Sequence, residues 1–534
     1  MDRMIEDVDV VTVPELDDRE PPPGSDRRAF MVRSAMAVAI GALTGCAPRD
    51  VSQISTPAPG GNAGLTKLDP SLDVVKKSKG PVMTLIDEFY KVGPGPSSSH
   101  TIGPMRITYD FYQRAAKLPA EQQNQADNLK VHLFGSLSAT GKGHGTERAC
   151  LAGLIGMEPA TTDPAFLDGL AANPNQTFKV KVGNKEIPVS LKDIIYDAPK
   201  GDFPHANTMT CKLMAGDKVL LEQEYYSVGG GFIEWKGYQP PKKNPPKYPY
   251  ERISQVIEYC KKDNLSLAQF ARANETAISG KTDAEIDAFL DKILGAMDAT
   301  VKTGLGAPTS TLPGPIKLKT KAHDVYENAQ KQEGTARRAI GLVSAYALAG
   351  SEENARGHLV ITAPTGGSAG VLPAVIYSLG PEGAKMSKDK LRDALLAGAI
   401  VGYLCKHNAT LSAAEGGCQA EIGVASAMGA AAIAQAYGDS PQVAANAAEG
   451  ALEHHLGMTC DPVAGFVQIP CIERCAFGAV KAWTGYLIAK NEVPLNRRVD
   501  FDSTVDALAL TAKEMNSKYK ETSEGGLAVS LTLC

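Results

Sequence analysis

Residues 393–410, DALLAGAIVGYLCKHNAT, and residues 420–438, AEIGVASAMGAAAIAQAYG, decide the fold of the larger part of this chain. Both are rich in Ala, Leu, Gly and Met and lack the alternation of β-branched and polar residues that marks strands, so both predict helices. They are apolar on nearly every side, which places them inside a bundle, and their Ala and Gly content predicts closely approaching backbones. The same character runs from about residue 251 to residue 518.

Moving toward the N-terminus, the pattern breaks at residues 238–250, YQPPKKNPPKYPY, where five prolines in thirteen residues deny both a helix interior and a central strand. Before it, LKVHLFGSLS (129–138), TFKVKVG (177–183) and CKLMAGDKVLLEQEYYSVGGGFIEW (211–235) have strand character. MTLIDEFYKVG (83–93) reads as a short helix. PSSSHTIGPM (96–105) reads as a loop opening a helix with Ser97, Ser98 or Ser99 as its cap, and GTERACLAGLIGM (145–157) as a helix that Gly156 ends. The expected fold class is α+β, with a small N-terminal α+β domain (residues 78–237), a Pro-rich linker (238–250) and a mainly helical domain (251–534).

Residues 1–77 do not read as core. An acidic, Pro-rich start (PELDDREPPPG, 14–24) leads to Arg27 and Arg28 and then to an uncharged stretch from Ser34 to Cys46, too short to span a bilayer. The segment looks like a twin-arginine export signal ending in LTGC, a lipoprotein-type site that would be cut before Cys46 and lipid-anchored there. The expected location is nonetheless the cytoplasm, with the segment an untranslocated Ala-rich helix or the product of a wrongly assigned start codon, and export is the alternative. Residues 47–75 read as a flexible arm in either case.

A chain of 534 residues needs more than one core. Its net charge of −5 gives no basic surface for nucleic acid, so no nucleic-acid partner is expected. Ten cysteines in this length are too sparse for a disulfide scaffold, yet five fall between Cys405 and Cys475. Cys418 in EGGCQAEIG, and Cys460 and Cys471 in CDPVAGFVQIPC, sit among turn residues. Their spacings of 42 and 11 residues match neither compact zinc knuckles nor the tight ferredoxin run, and unrelated buried thiols are the competing reading.

Other phrases offer polar chemistry. GSLSATGKGHGTE (135–147) resembles a phosphate loop but lacks its GK[ST] end, because Gly143 follows Lys142. APTGGSAG (363–370) presents backbone N–H groups with Thr365 and Ser368, a combination suited to a carboxylate. Among the histidines, His100, His144 and His205 lie in polar surroundings, whereas His454 and His455 lie on a helix near Cys460. Lys317, Lys319 and Lys406 are the lysines that suggest a Schiff base, but none sits in a recognisable Schiff-base phrase.

Seven phrases in order, PSSSHTIGPM, FGSLSATGKGHGTERA, HANTM, YYSVGGGF, APTGGSAGVLPA, EGGCQAEIG and CDPVAGFVQIPCIERC, resemble those of the single-chain bacterial iron–sulfur L-serine dehydratases from about residue 80 to residue 534. The resemblance implies that the helical domain is catalytic. It also implies a [4Fe-4S] cluster on Cys418, Cys460 and Cys471, with the final residue, Cys534, as a further tail ligand. Elimination of water from L-serine to give pyruvate and ammonia follows from it, as does a homodimer. Under it, Ser97, Ser99, Thr365, Ser368 and Asn207 become substrate-binding candidates, and Ser97, Ser99, His100, His144 and His205 catalytic ones, with His100 ranked first as general base. Elimination from L-threonine or another small β-substituted amino acid is the nearest alternative. An iron–sulfur sensor without turnover is the alternative of another class. One departure stands out, since many family members have asparagine where this chain has Cys475.

Overall fold

The computed structural model describes residues 80–239 and 242–531. The export-signal reading, Cys46 and Cys534 therefore lie outside the described residues. Among the described residues no helix is long and apolar enough to cross a membrane.

The N-terminal part opens with a one-turn helix (Ile86–Phe89) and strand β1 (Lys91–Pro94), followed by helix α1 (Gly103–Ala116) and strand β2 (Asn128–Leu133). Helix α2 (Thr146–Leu154) precedes a separate hairpin, β3 (Phe178–Val182) and β4 (Lys185–Val189). Strands β5 (Ile194–Tyr196), β6 (Thr208–Ala215), β7 (Lys218–Ser227) and β8 (Ile233–Trp235) complete a five-stranded sheet of order β5-β2-β6-β7-β8. Only the β2–β5 pair is parallel. Leu129, Val131 and Leu133 alternate inward on β2 and meet Cys211 and Leu213 of β6, with Ile107 and Phe111 of α1 and Leu151 and Leu154 of α2 closing over the same face. That is a two-layer α+β arrangement, as the sequence predicts.

Beyond the proline-rich segment the described residues form one strand, and their other regular elements are helices. The main elements are α3 (Asp283–Gly306), α4 (Thr335–Arg356), strand β9 (Leu359–Thr362), α5 (Val371–Leu379), α6 (Lys388–Asn408), α7 (Val424–Tyr437), α8 (Pro441–Glu453), α9 (Cys471–Asn491) and α10 (Phe501–Glu514). Helix α7 is buried along nearly its whole length and forms the axis around which α5, α6, α8 and α9 pack. The small residues have the predicted effect: a Cβ on Gly402 of α6 would lie 2.3 Å from Cζ of Phe89, and one on Gly485 of α9 would lie 2.9 Å from the Ala447 carbonyl of α8.

Two local readings change. MTLIDEFYKVG is helical only over Ile86–Phe89, because Lys91–Pro94 pairs antiparallel with β9, in register Val92↔Ile361. The helical half accordingly contains a strand, LVIT, whose β-branched residues are buried. Phe89 and Tyr90, just ahead of β1, pack in the helical core. The two halves are thus laced together, which brings the 96–105 loop up against the helical half.

Candidate metal centre and histidine–serine cluster

Three turns of chain bring the cysteines together. Cys418 follows Gly417, whose φ of +71° favours glycine, and precedes the π-turn Gln419–Gly423 that opens α7. Cys460 sits in the loop after α8, and Cys471 is the first residue of α9. All three are buried and none is in a disulfide. The sulfurs of Cys418 and Cys460 and a carboxylate oxygen of Glu421 lie within 4.8 Å of one another. The Cys460 and Cys471 thiols, placed to donate to Cys418, hold it well below the ordinary thiol value, and the Arg474 guanidinium adds to this. Cys460 and Cys471 are pushed upward by the same contact and by burial. Arg474 is itself fixed, donating to the Thr459 carbonyl at 2.5 Å and pairing with Asp461 at 3.1 Å.

Buried thiols converging around one favoured thiolate, with a cation beside them, suit an iron–sulfur cluster or another thiophilic metal. Cys475 differs. Its thiol donates to the Gly367 carbonyl at 3.2 Å, and burial pushes it up to about 12, so it stays protonated.

The second cluster lies on the small-domain side. Ser97 caps the turn at residues 98–102, its Oγ accepting from the His100 N–H at 3.1 Å and lying 3.3 Å from Ser99 Oγ. His100 Nδ1 is 2.9 Å from Ser99 Oγ, and Nε2 is 3.1 Å from Ser136 Oγ. The His144 ring lies 4.5 Å from that of His100, centroid to centroid, and its Nδ1 pairs with the Thr140 carbonyl at 2.9 Å. Thr146 donates to the His100 carbonyl and Thr101 to the His144 carbonyl, which ties the two loops to each other. Burial, reinforced by the neighbouring His144, lowers His100 well below the ordinary imidazole value. Burial, only partly offset by the Thr140 hydrogen bond, takes His144 to about 4. Both rings are therefore neutral at pH 7 and able to accept a proton.

The glycine-rich phrases bridge the two clusters. A Cβ on Gly366 would lie 2.6 Å from the Ser98 nitrogen, and one on Gly367 would lie 2.5 Å from a Glu421 carboxylate oxygen. The loop bearing Thr365 and Ser368, whose hydroxyls are 3.0 Å apart, is thus wedged between the serine turn and the cysteine site. The GKGHG turn holds no phosphate-loop geometry. It is a close-contact surface, since a Cβ on Gly143 would lie 2.4 Å from the Gly465 carbonyl, in the chain between Cys460 and Cys471.

Not every candidate joins this constellation directly. His205 Nε2 lies 3.2 Å from Glu415, three residues before Cys418, while its Nδ1 accepts from the Asn207 N–H at 2.9 Å. Asn207 is buried with its Nδ2 donating to the Ser227 carbonyl at 3.1 Å, so it supports the strand end that in turn holds Ser99 through Ser227 Oγ at 2.7 Å. His454 is exposed, and the buried His455 is occupied by the Ala451 carbonyl. Two carboxylates escaped the sequence reading. Glu421, raised to about 8 by burial and by Cys418, had a signal in its position one turn after that cysteine. Glu521, between His100 and His144 at 3.7 and 3.5 Å, had none.

The described residues define a protein with a candidate thiol-rich metal site beside a buried cluster of neutral histidines and serine hydroxyls. Residues 86–238 match the family described as serine dehydratase beta chain, and residues 262–528 match that described as serine dehydratase alpha chain. L-serine dehydratase of Haemophilus influenzae is 37% identical over 458 residues, which cover 84% of this chain and 99% of that protein. L-serine dehydratase 1 of Escherichia coli is 36% identical over 457 residues, covering 84% and 99%. L-serine dehydratase of Helicobacter pylori (strain J99) is 38% identical over 454 residues, covering 83% and 98%. The chain belongs to the serine dehydratase family, with its beta and alpha regions fused in one polypeptide.

Proposed function

We propose that this chain converts L-serine to pyruvate and ammonia, with Cys418, Cys460 and Cys471 holding a [4Fe-4S] cluster and Cys534, outside the described residues, as a further ligand. The observation that carries the reading is the meeting of three buried cysteines around one favoured thiolate, alongside two buried neutral imidazoles. When bound, the cluster supplies Lewis acidity that helps the β-hydroxyl leave.

The protein's own groups do the rest. A neutral imidazole, His100 first and His144 second, takes the α-proton of serine. Loss of the β-hydroxyl gives 2-aminoacrylate and water, and addition of water to that product releases pyruvate and ammonia. The N–H groups and hydroxyls of the 363–370 loop, with Ser97 and Ser99, bind the substrate carboxylate. His205 and Asn207 act from outside this set, by holding Glu415 and the Ser227 strand end. In this reading residues 78–237 form the beta-type domain, 238–250 the linker and 251–534 the catalytic domain, and the working unit is a homodimer.

The test is anaerobic reconstitution followed by iron and sulfide counts and pyruvate release from L-serine. Wild type should bind close to one cluster and turn over. Cys418→Ser should lose both the iron and at least about 100-fold in rate. Wild type that binds iron and releases no pyruvate would identify a sensor instead, and faster turnover of L-threonine would move the substrate assignment.

A further inference from the structure

The outer face of α9 is apolar where a helix facing water is ordinarily polar. Phe477, Val480, Thr484, Leu487 and Ile488 recur at helical spacing on the side opposite the buried Cys475, Ala479, Ala482 and Tyr486. Phe477 is 67% exposed, and Leu487 and Ile488 are each 52% exposed.

This face stands as a ridge between two grooves, and Thr484 lines both. On one side, against the first turns of α4, Ile340, Val343, Tyr346, Val480, Trp483 and Leu487 line a groove of about 510 Å³. Among the described residues its one charged lining group is Glu382. Trp483 Nε1 donates to Ser378 Oγ at 3.2 Å, so the indole offers the groove apolar surface. On the other side, against α8, a groove of about 300 Å³ is lined in part by Gly450, Gly485, Ile488 and Val499. Lys481 and Arg497 there are tied within the chain, Lys481 Nζ donating to the His454 carbonyl at 2.8 Å and Arg497 pairing with Glu449 and Glu492.

The open apolar surface continues past the ridge. Ile340 is 54% exposed, Tyr437 stacks on Tyr486 at 5.6 Å between ring centroids, and Val493, Leu495 and Val499 are exposed in the turns after α9. Together these side chains leave roughly 800 Å² of apolar surface in water, more than the roughly 300–600 Å² that a monomer ordinarily leaves in one patch and close to the roughly 800 Å² that each partner brings to a stable interface. An apolar centre with internally paired charges at its edge is the anatomy of an association surface.

A ridge with a groove beside it fits a second copy of itself. Turned about a two-fold axis near Thr484, two α9 helices run antiparallel, and the ridge of each enters the α4–α9 groove of the other. Phe477 of one copy then falls near Ile488 of the second, and the small Thr484 at the centre permits close approach. A partner recognised by charge finds a single carboxylate in the groove, whereas an identical apolar face finds its complement. We infer that the α9 ridge and the α4–α9 groove form the contact between two copies of this chain. The inference rests on the homodimer of the proposed function and adds where the copies meet. Helix α9 then has two roles, since its first residue, Cys471, belongs to the thiol site and its outer face holds the second copy.

The experiment is sedimentation equilibrium of the full-length protein across a micromolar dilution series. Wild type should be a dimer. Leu487→Glu and Thr484→Arg should each raise the dimer Kd at least about 30-fold without lowering the melting temperature. Val219→Glu, at an exposed position on β7 of the small domain, should leave Kd within about twofold. A wild-type dimer that both α9 variants leave intact would overturn the inference and keep the homodimer, and a wild type that stays monomeric would overturn both. Photo-crosslinking of the full chain with p-benzoylphenylalanine in place of Phe477 decides the matter even where a variant misfolds. It should give a product of twice the chain mass joined to α4 or α9. A product of single-chain mass joined to residues 1–79 would show that the chain's own N-terminal arm covers this face, and would overturn the inference.

Discussion

Gly366→Ala tests whether the wedge between the serine turn and the cysteine site controls catalysis. The added Cβ would stand 2.6 Å from the Ser98 nitrogen, 2.9 Å from the Ser97 carbonyl carbon and 3.0 Å from Ser97 Cα, all of them backbone atoms, whereas ordinary contact begins at 3.4 Å. Relief requires a separation of about 0.8 Å (3.4 minus 2.6) between the 363–370 loop and the serine turn. The serine turn cannot yield alone: the Ser97 carbonyl accepts from the Thr101 and Ile102 N–H groups, and Ser97 Oγ accepts from His100. The displacement therefore reaches either the hydroxyls of Thr365 and Ser368 or the His100 ring. Overpacking of this kind destabilises by roughly 1–3 kcal/mol, and a misplacement near 1 Å lowers rates by about 100-fold. We expect kcat/KM for L-serine to fall about 30- to 100-fold in iron-replete enzyme, with a melting temperature lower by a few degrees. Gly169→Ala is the control, because a Cβ there meets nothing within 4 Å and the site lies on the helix Pro164–Ala172. It should add about 0.5–1 kcal/mol and leave kinetics unchanged. A Gly366→Ala enzyme with kcat/KM within about twofold of wild type would refute the reasoning.

Two further outcomes follow from buried groups. Cys475→Ser keeps a donor for the Gly367 carbonyl and should retain full iron content and near-normal KM, whereas Cys475→Ala should raise KM by roughly fivefold through loss of about 1 kcal/mol of loop support; iron loss in Cys475→Ser would show that this thiol is a ligand after all. Glu275, which accepts from the Ile86 N–H at 3.0 Å, is raised by burial to about 7. A folded-state value above the unfolded 4.5 means that the folded protein binds more protons across that window, so stability falls as pH rises from about 4.5 to about 7 and is level above it. Glu275→Gln should remove this slope and stabilise the protein at pH 8 by up to about 3 kcal/mol, read as urea midpoints at pH 4.5 and 8; equal differences at both pH values would contradict it.

Much of the fold was legible because its signals are local. The Ala- and Gly-rich runs read as close-packed helices, and α6 and α7 are such helices. The alternation in LKVHLF read as a half-buried strand, and β2 buries that face. Strand β9 was hidden because four residues, LVIT, are too short to announce a period inside a helical region, and because its partner, β1, lies more than 260 residues earlier. The site shows the same division. Spacings of 42 and 11 residues carried no metal signature by themselves, since Cys418, Cys460 and Cys471 come from a π-turn, a loop and a helix start that meet only through packing around α7. The resemblance of whole phrases to a known family singled out these cysteines, not any rule of ligand spacing.

Glu521 marks where such reading ends. Nothing in KYKETSEGG distinguishes this carboxylate from the other acidic residues of the chain. What sets it apart is a two-bond bridge to Cys460, between segments that follow α8 and α10, together with a left-handed backbone turn that no side-chain pattern encodes. Local propensity disfavours that turn, and the surrounding hydrogen bonds hold it nonetheless. Sequence-level consistency is expected to fail at such places, because hydrogen bonds from distant parts of the chain hold a conformation that local propensity alone disfavours.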